Sequence, residues 1–69
     1  MQMRQVQSSN VQAVGYYPAS QELRITFRSG PTYKYANVPE SVYRSMMRSA
    51  SIGQFVATVL KPGYKATKL

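Results

Sequence analysis

The sequence predicts an α+β domain: a three-stranded antiparallel β-meander with two short helices packed on one face, in the order βββαα. Three observations predict it. Residues 23–35 alternate apolar and polar side chains on both sides of Ser29-Gly30-Pro31, the period of a half-buried hairpin. Residues 10–17 form a further aromatic and β-branched stretch, of the kind strands favour. From Pro39 onward the apolar residues recur at helical spacing instead, as on a helix with one buried face.

Residues 1–8 are polar and glutamine-rich and read as a flexible arm. In the first strand, Val11, Ala13 and Tyr17 share one parity while Val14 and Tyr16 share the other. Gly15 is the expected site of a bulge that lets both sets partly face the core. Pro18-Ala19-Ser20-Gln21 is turn chemistry and leads into the second strand as a hairpin. Neighbouring strands usually pair, so the strand order should be the chain order, with residues 23–28 central.

The second hairpin fixes the faces. If Arg28 lies opposite Thr32, Phe27 pairs with Tyr33 and Ile25 with Tyr35. Leu23, Ile25, Phe27, Tyr33 and Tyr35 then share a buried face, with Phe27 and Tyr35 in the core. Arg24, Thr26, Arg28, Thr32 and Lys34 share the other, because side chains alternate across a strand.

Pro39 should open the first helix, with Glu40 set favourably against the helix dipole. Val42, Tyr43, Met46, Met47 and Ala50 form its apolar stripe, and Arg44 and Arg48 its solvent side. Ser51-Ile52-Gly53-Gln54 has the Ser-x-x-Gln form of a capping box. It should start a second helix that buries Ile52, Phe55, Val56, Val59 and Leu60 and stops at Pro62-Gly63. Tyr64 to Leu69 reads as a basic tail.

With this order in view, the chain resembles the KTSC domain, a small module found at the C-terminus of some lysyl-tRNA synthetases and as free-standing bacterial and phage proteins. The resemblance is carried by Ser9-Asn10-Val11, Val14-Gly15-Tyr16, Leu23-x-Ile25-x-Phe27-x-x-Gly30, Tyr33-Lys34-Tyr35, Val38-Pro39, Val42-Tyr43 and Ala50-Ser51-x-Gly53. Tyr17 and Ile52 depart from the pattern. The resemblance implies the fold. Function has to be read from the residues.

Sixty-nine residues make one domain with no cysteine and no histidine. Disulfides and thiolate zinc sites are therefore excluded, and so is the commonest general base. Glu22 and Glu40 are the sole carboxylate side chains, one at a turn and one at a helix start. The serines have no histidine to activate them. A non-catalytic protein without a cofactor is expected.

Nine Lys and Arg residues give a formal net charge of +7, which favours phosphates or acidic protein surfaces as partners. No apolar run approaches the ~20 residues of a membrane-spanning helix, and the N-terminus has no signal-like apolar core. A cytoplasmic address without membrane binding is the expectation.

The residues expected to carry binding are Arg24, Arg28 and Lys34 on the uncovered sheet face, with Tyr16 or Tyr17 as an aromatic neighbour and Lys61 and Lys65 towards the tail. Arginine suits that role because its planar fork contacts phosphate bidentately. Tyr33 and Tyr35 are expected as core residues in preference to base-stacking ones. RNA or single-stranded DNA is the first expected partner, and an acidic surface of a host factor the alternative. Exposure of a tyrosine beside Arg24, Arg28 or Lys34 separates the two, since stacking needs a ring and an acidic surface needs only charge.

Overall fold

The structure, a computed structural model, describes residues 4–6 and 10–69. They form one antiparallel sheet of five strands whose spatial order is the chain order. Its body is a meander of β2 (Val11–Tyr17), β3 (Glu22–Phe27) and β4 (Thr32–Tyr35), flanked by two short edge strands, β1 (Arg4–Gln5) and β5 (Ala66–Lys68). The expected three strands are thus present, and two more extend the sheet. Residues 4 and 5 of the expected arm pair with β2, while residues 1–3 and 7–8 of it lie outside the described residues. The expected basic tail is in part β5, which pairs with β4 through Tyr33↔Lys68, Lys34↔Thr67 and Tyr35↔Ala66.

The β3–β4 register differs from the expected one by a residue on each arm. Leu23 pairs with Tyr35, Ile25 with Tyr33 and Thr26 with Thr32. The turn is the cause. The Gly30 N–H donates to the Phe27 carbonyl at 2.9 Å, and the Phe27 N–H donates to the Pro31 carbonyl at 2.9 Å. Residues 28–30 therefore form a three-residue loop, closed by Gly30 at φ +121°, a conformation costly for any residue with a Cβ. Pro31 has no N–H to lose at that junction. A slip of one on each arm leaves the parity unchanged, so the predicted faces survive.

In β2 the bulge lies at Gln12, between Val11 and Ala13, and not at Gly15. The extra residue flips the side-chain parity. Val11 on one side of it and Val14 and Tyr16 on the other all point into the core. Tyr17 is left on the opposite face.

Helix α1 (Glu40–Arg48) starts one residue later than expected, because Pro39 is its N-cap in extended conformation and not its first helical residue. The Val42 and Tyr43 N–H groups both reach the Pro39 carbonyl. The Arg44 guanidinium donates to Glu40 at 2.7 Å, an i,i+4 pair. The helix ends at Ser49, so Ala50 is exposed and outside the apolar stripe. Helix α2 (Ile52–Phe55) begins as the sequence predicts, with the Gln54 N–H donating to the Ser51 hydroxyl at 3.2 Å.

The helical run then widens into a π-helical turn (Val56–Leu60) and closes with α3 (Lys61–Gly63). The Lys61 N–H reaches back five residues to the Val56 carbonyl. The wide turn precedes Pro62, whose ring would crowd the Thr58 carbonyl in a continuous α ladder and whose nitrogen has no hydrogen to donate. Val56 and Leu60 are buried there. The added width rotates Val59 outward to 38 % exposure, against the expectation that it is buried.

Both helical runs cover one face of the sheet. Among the described residues, ten close the core between them, including Leu23, Ile25, Tyr35, Met46, Val56 and Leu60. Phe27, expected in the core, sits half-buried at its rim, edge-on to Tyr33 with centroids 5.7 Å apart. No described helix is long and apolar enough to cross a membrane.

Candidate nucleic-acid interface

The sheet face away from the helices is built from the second parity of each strand. Gly15 on β2 lies beside Arg24 on β3, Arg24 beside Lys34 on β4, and Lys34 beside Thr67 on β5. This row crosses four strands. One step along it, the Thr26 and Thr32 hydroxyls hydrogen-bond to each other at 2.8 Å. Lys65, two residues before Thr67, carries the parity of the same face and is exposed.

Arg24 is held from two directions. Its Nε donates to Glu22 at 2.5 Å, and its guanidinium lies over the Tyr17 ring, 5.1 Å from the centroid. Glu22 and Arg24 share a face because they are two residues apart on one strand. The hydrogen bond to Glu22 is the main reason Arg24 is held still more firmly protonated than a free arginine. Lys34, directly opposite, would otherwise oppose it as a like charge. The result is a fixed planar cation on an aromatic ring with a lysine alongside. Such a platform can meet phosphate through its charges and a base through its π surfaces.

Of the residues predicted to bind, the fold therefore brings together Arg24 and Lys34, with Lys65 at the border. It separates the others. Tyr16 belongs to the core: it is 1 % exposed, its ring stacks on Tyr43 with centroids 4.7 Å apart, and its hydroxyl donates to the Val38 carbonyl at 2.6 Å. Of the two tyrosines expected as the aromatic neighbour, Tyr17 is the one beside Arg24. The signal lay in the sequence, because the apolar parity changes between Val11 and Val14, upstream of Gly15.

Arg28 also leaves the open face. It belongs to the β3–β4 loop, where its N–H donates to the Asn10 carbonyl at 2.9 Å. There it joins Lys61 in lining a concavity of about 450 Å³ on the helix side, together with Asn10, Phe27 and Ser29. The Lys61 ammonium stands 5.8 Å from the Phe27 ring centroid. Tyr33 and Tyr35, on the helix side as predicted, present no ring to the open face.

Residues 7–64 match the family model of the KTSC domain. A relative from Tsukamurella paurometabola is 40 % identical over 67 residues, covering 97 % of this chain and all of its own length. An uncharacterised protein of Stutzerimonas stutzeri is 37 % identical over 57 residues, 83 % of this chain and 80 % of its own. The crystal structure of a KTSC domain protein from Yersinia pestis superposes with a TM-score of 0.94 at 35 % identity, covering 99 % of this chain and 96 % of that one.

Proposed function

The chain belongs to the KTSC domain family, and we propose that this member is a small non-catalytic module that binds RNA or single-stranded DNA across the open face of its sheet. The observation that carries this reading is the Arg24–Tyr17 stack with Lys34 directly alongside. An acidic protein partner, the second reading, would be served by the charges alone. A half-buried aromatic ring fixed beside the cation favours a partner with flat bases.

Three cations, Arg24, Lys34 and Lys65, would meet the backbone. At about −0.7 per phosphate on single strands, three contacts give a log–log salt slope near −2. The Arg24→Gln, Lys34→Gln double variant should bind all sequences more weakly and flatten that slope by roughly 1.4. It should stay folded, because both side chains lie on the face away from the core. The experiment is a fluorescence titration of labelled single strands at several salt concentrations. A Tyr17→Ala variant run alongside should lose about 1–3 kcal/mol of binding if a base stacks there. No saturable binding at low salt, or equal binding by wild type and double variant, would remove the open face as a nucleic-acid site. The acidic-protein reading would then lead.

A further inference from the structure

We propose that the concavity between Arg28 and Lys61 is a second binding site, separate from the open face, which takes a terminal phosphate: a phosphomonoester of nucleotide size. The two cations come from distant parts of the chain, one from the β3–β4 loop and one from α3, and converge on one hollow. Among the described residues, no acidic side chain lines it. The chain's two acidic side chains are engaged elsewhere, Glu22 with Arg24 and Glu40 with Arg44.

The remaining lining suits the same class of ligand. Asn10 and Ser29 are exposed polar side chains able to donate or accept. The rim of Phe27 supplies an apolar wall, anchored by its edge contact with Tyr33. At about 450 Å³ the hollow falls within the ~300–1,000 Å³ of small-molecule sites and exceeds what a bare phosphate needs. A terminal phosphate carries nearly two negative charges at neutral pH against one for an internal phosphodiester, so a paired arginine and lysine select for it. Arg28 is placed for this by the loop itself: Gly30 closes the turn, and the bond from the Arg28 N–H to Asn10 ties the loop to the start of β2.

The test is titration of the full chain with adenosine 5′-monophosphate and with adenosine, followed by backbone amide shifts. The monophosphate should saturate, moving the Ser29 and Lys61 amides, with adenosine at least about tenfold weaker. Arg28→Gln and Lys61→Gln should each weaken the monophosphate about tenfold to a hundredfold, the loss of a charge-assisted hydrogen bond. Arg48→Gln on α1, outside both surfaces, should leave it unchanged. A strand with and without a 5′-phosphate identifies the source. A gain from the phosphate that Arg28→Gln abolishes assigns the pocket to strand ends, and binding of the monophosphate without such a gain assigns it to free nucleotides. Equal affinity for monophosphate and adenosine would overturn the site. So would indifference to both pocket variants, or an equal loss in Arg48→Gln. None of these outcomes bears on internal-strand binding, which the Arg24 and Lys34 variants report separately.

Discussion

Tyr16 joins the sheet to the first helix through both ends of its side chain. The ring stacks on Tyr43, and the hydroxyl holds the Val38 carbonyl where the chain leaves the sheet for α1. The Val38 N–H is tied in turn to the Gln21 carbonyl at 2.8 Å, so one residue is fastened from both sides. Tyr16→Phe should cost about 1–3 kcal/mol at neutral pH, because it leaves a buried carbonyl short of a donor. Alkaline pH tests the same bond differently. Burial, and to a smaller degree the Glu40 charge, raise the Tyr16 hydroxyl above its ordinary value, and burial followed by Tyr33 raises that of Tyr35. The folded chain then keeps protons that the unfolded chain has released above about pH 10. The stabilisation is complete below that pH and is lost as pH climbs through the folded values, by up to ~1.4 kcal/mol per pH unit for each tyrosine. Urea melts from pH 7 to 11 should show a shallower alkaline decline in Tyr16→Phe than in wild type. An identical decline would assign the loss to other groups.

Among the elements, the start of α2 rests on one short side chain. The Ser51 hydroxyl accepts the Gln54 N–H and satisfies one of the donors a helix start leaves unpaired. Ser51→Ala should destabilise by roughly 0.5–2 kcal/mol, read from the urea midpoint, with nucleic-acid affinity unchanged where the variant is folded. A large affinity loss in a folded Ser51→Ala would bring the helix corner into the binding surface. The sequence carried this cap plainly, as Ser-x-x-Gln before an apolar stripe. The edge strands left no such trace. Every residue of β5 is exposed, so backbone pairing alone forms it and no apolar period announces it. The π turn was equally hidden, since its apolar spacing fits an ordinary helix until Pro62 forces the ladder to widen.

For the whole molecule, the core depends on parity more than on register. Shifting both arms of the second hairpin by one residue left Leu23, Ile25 and Tyr35 inside, which is why the fold was legible from alternation alone. Depth was less legible: Phe27 is the last residue of β3, beside the hairpin loop, and stays half-buried. Ile25→Ala, at a fully buried position, should cost about 2–5 kcal/mol. Phe27→Ala should fall below the ~3–5 kcal/mol of a buried phenylalanine. Chemical denaturation of the pair decides it, and a costlier Phe27→Ala would move the centre of the core to the hairpin tip. The binding surface was legible by the same alternation for Arg24 and Lys34. Arg28 and Lys61 were not paired by any pattern in the sequence, because only the return of the last helix brings them together.

The turn from Val56 to Leu60 holds one residue more than an α-helix would place there. It therefore marks a position where the chain can shorten without losing its frame. Removal of the exposed Ala57 would put the Lys61 N–H four residues after Val56, an α spacing, and leave Val56 and Leu60 three apart on one face. That deletion should yield a folded protein with a cooperative melt. Removal of Thr26 from β3 should not, since every side chain beyond it would change faces. Among related chains, differences of one residue in length should gather at this turn and be absent from the central strands.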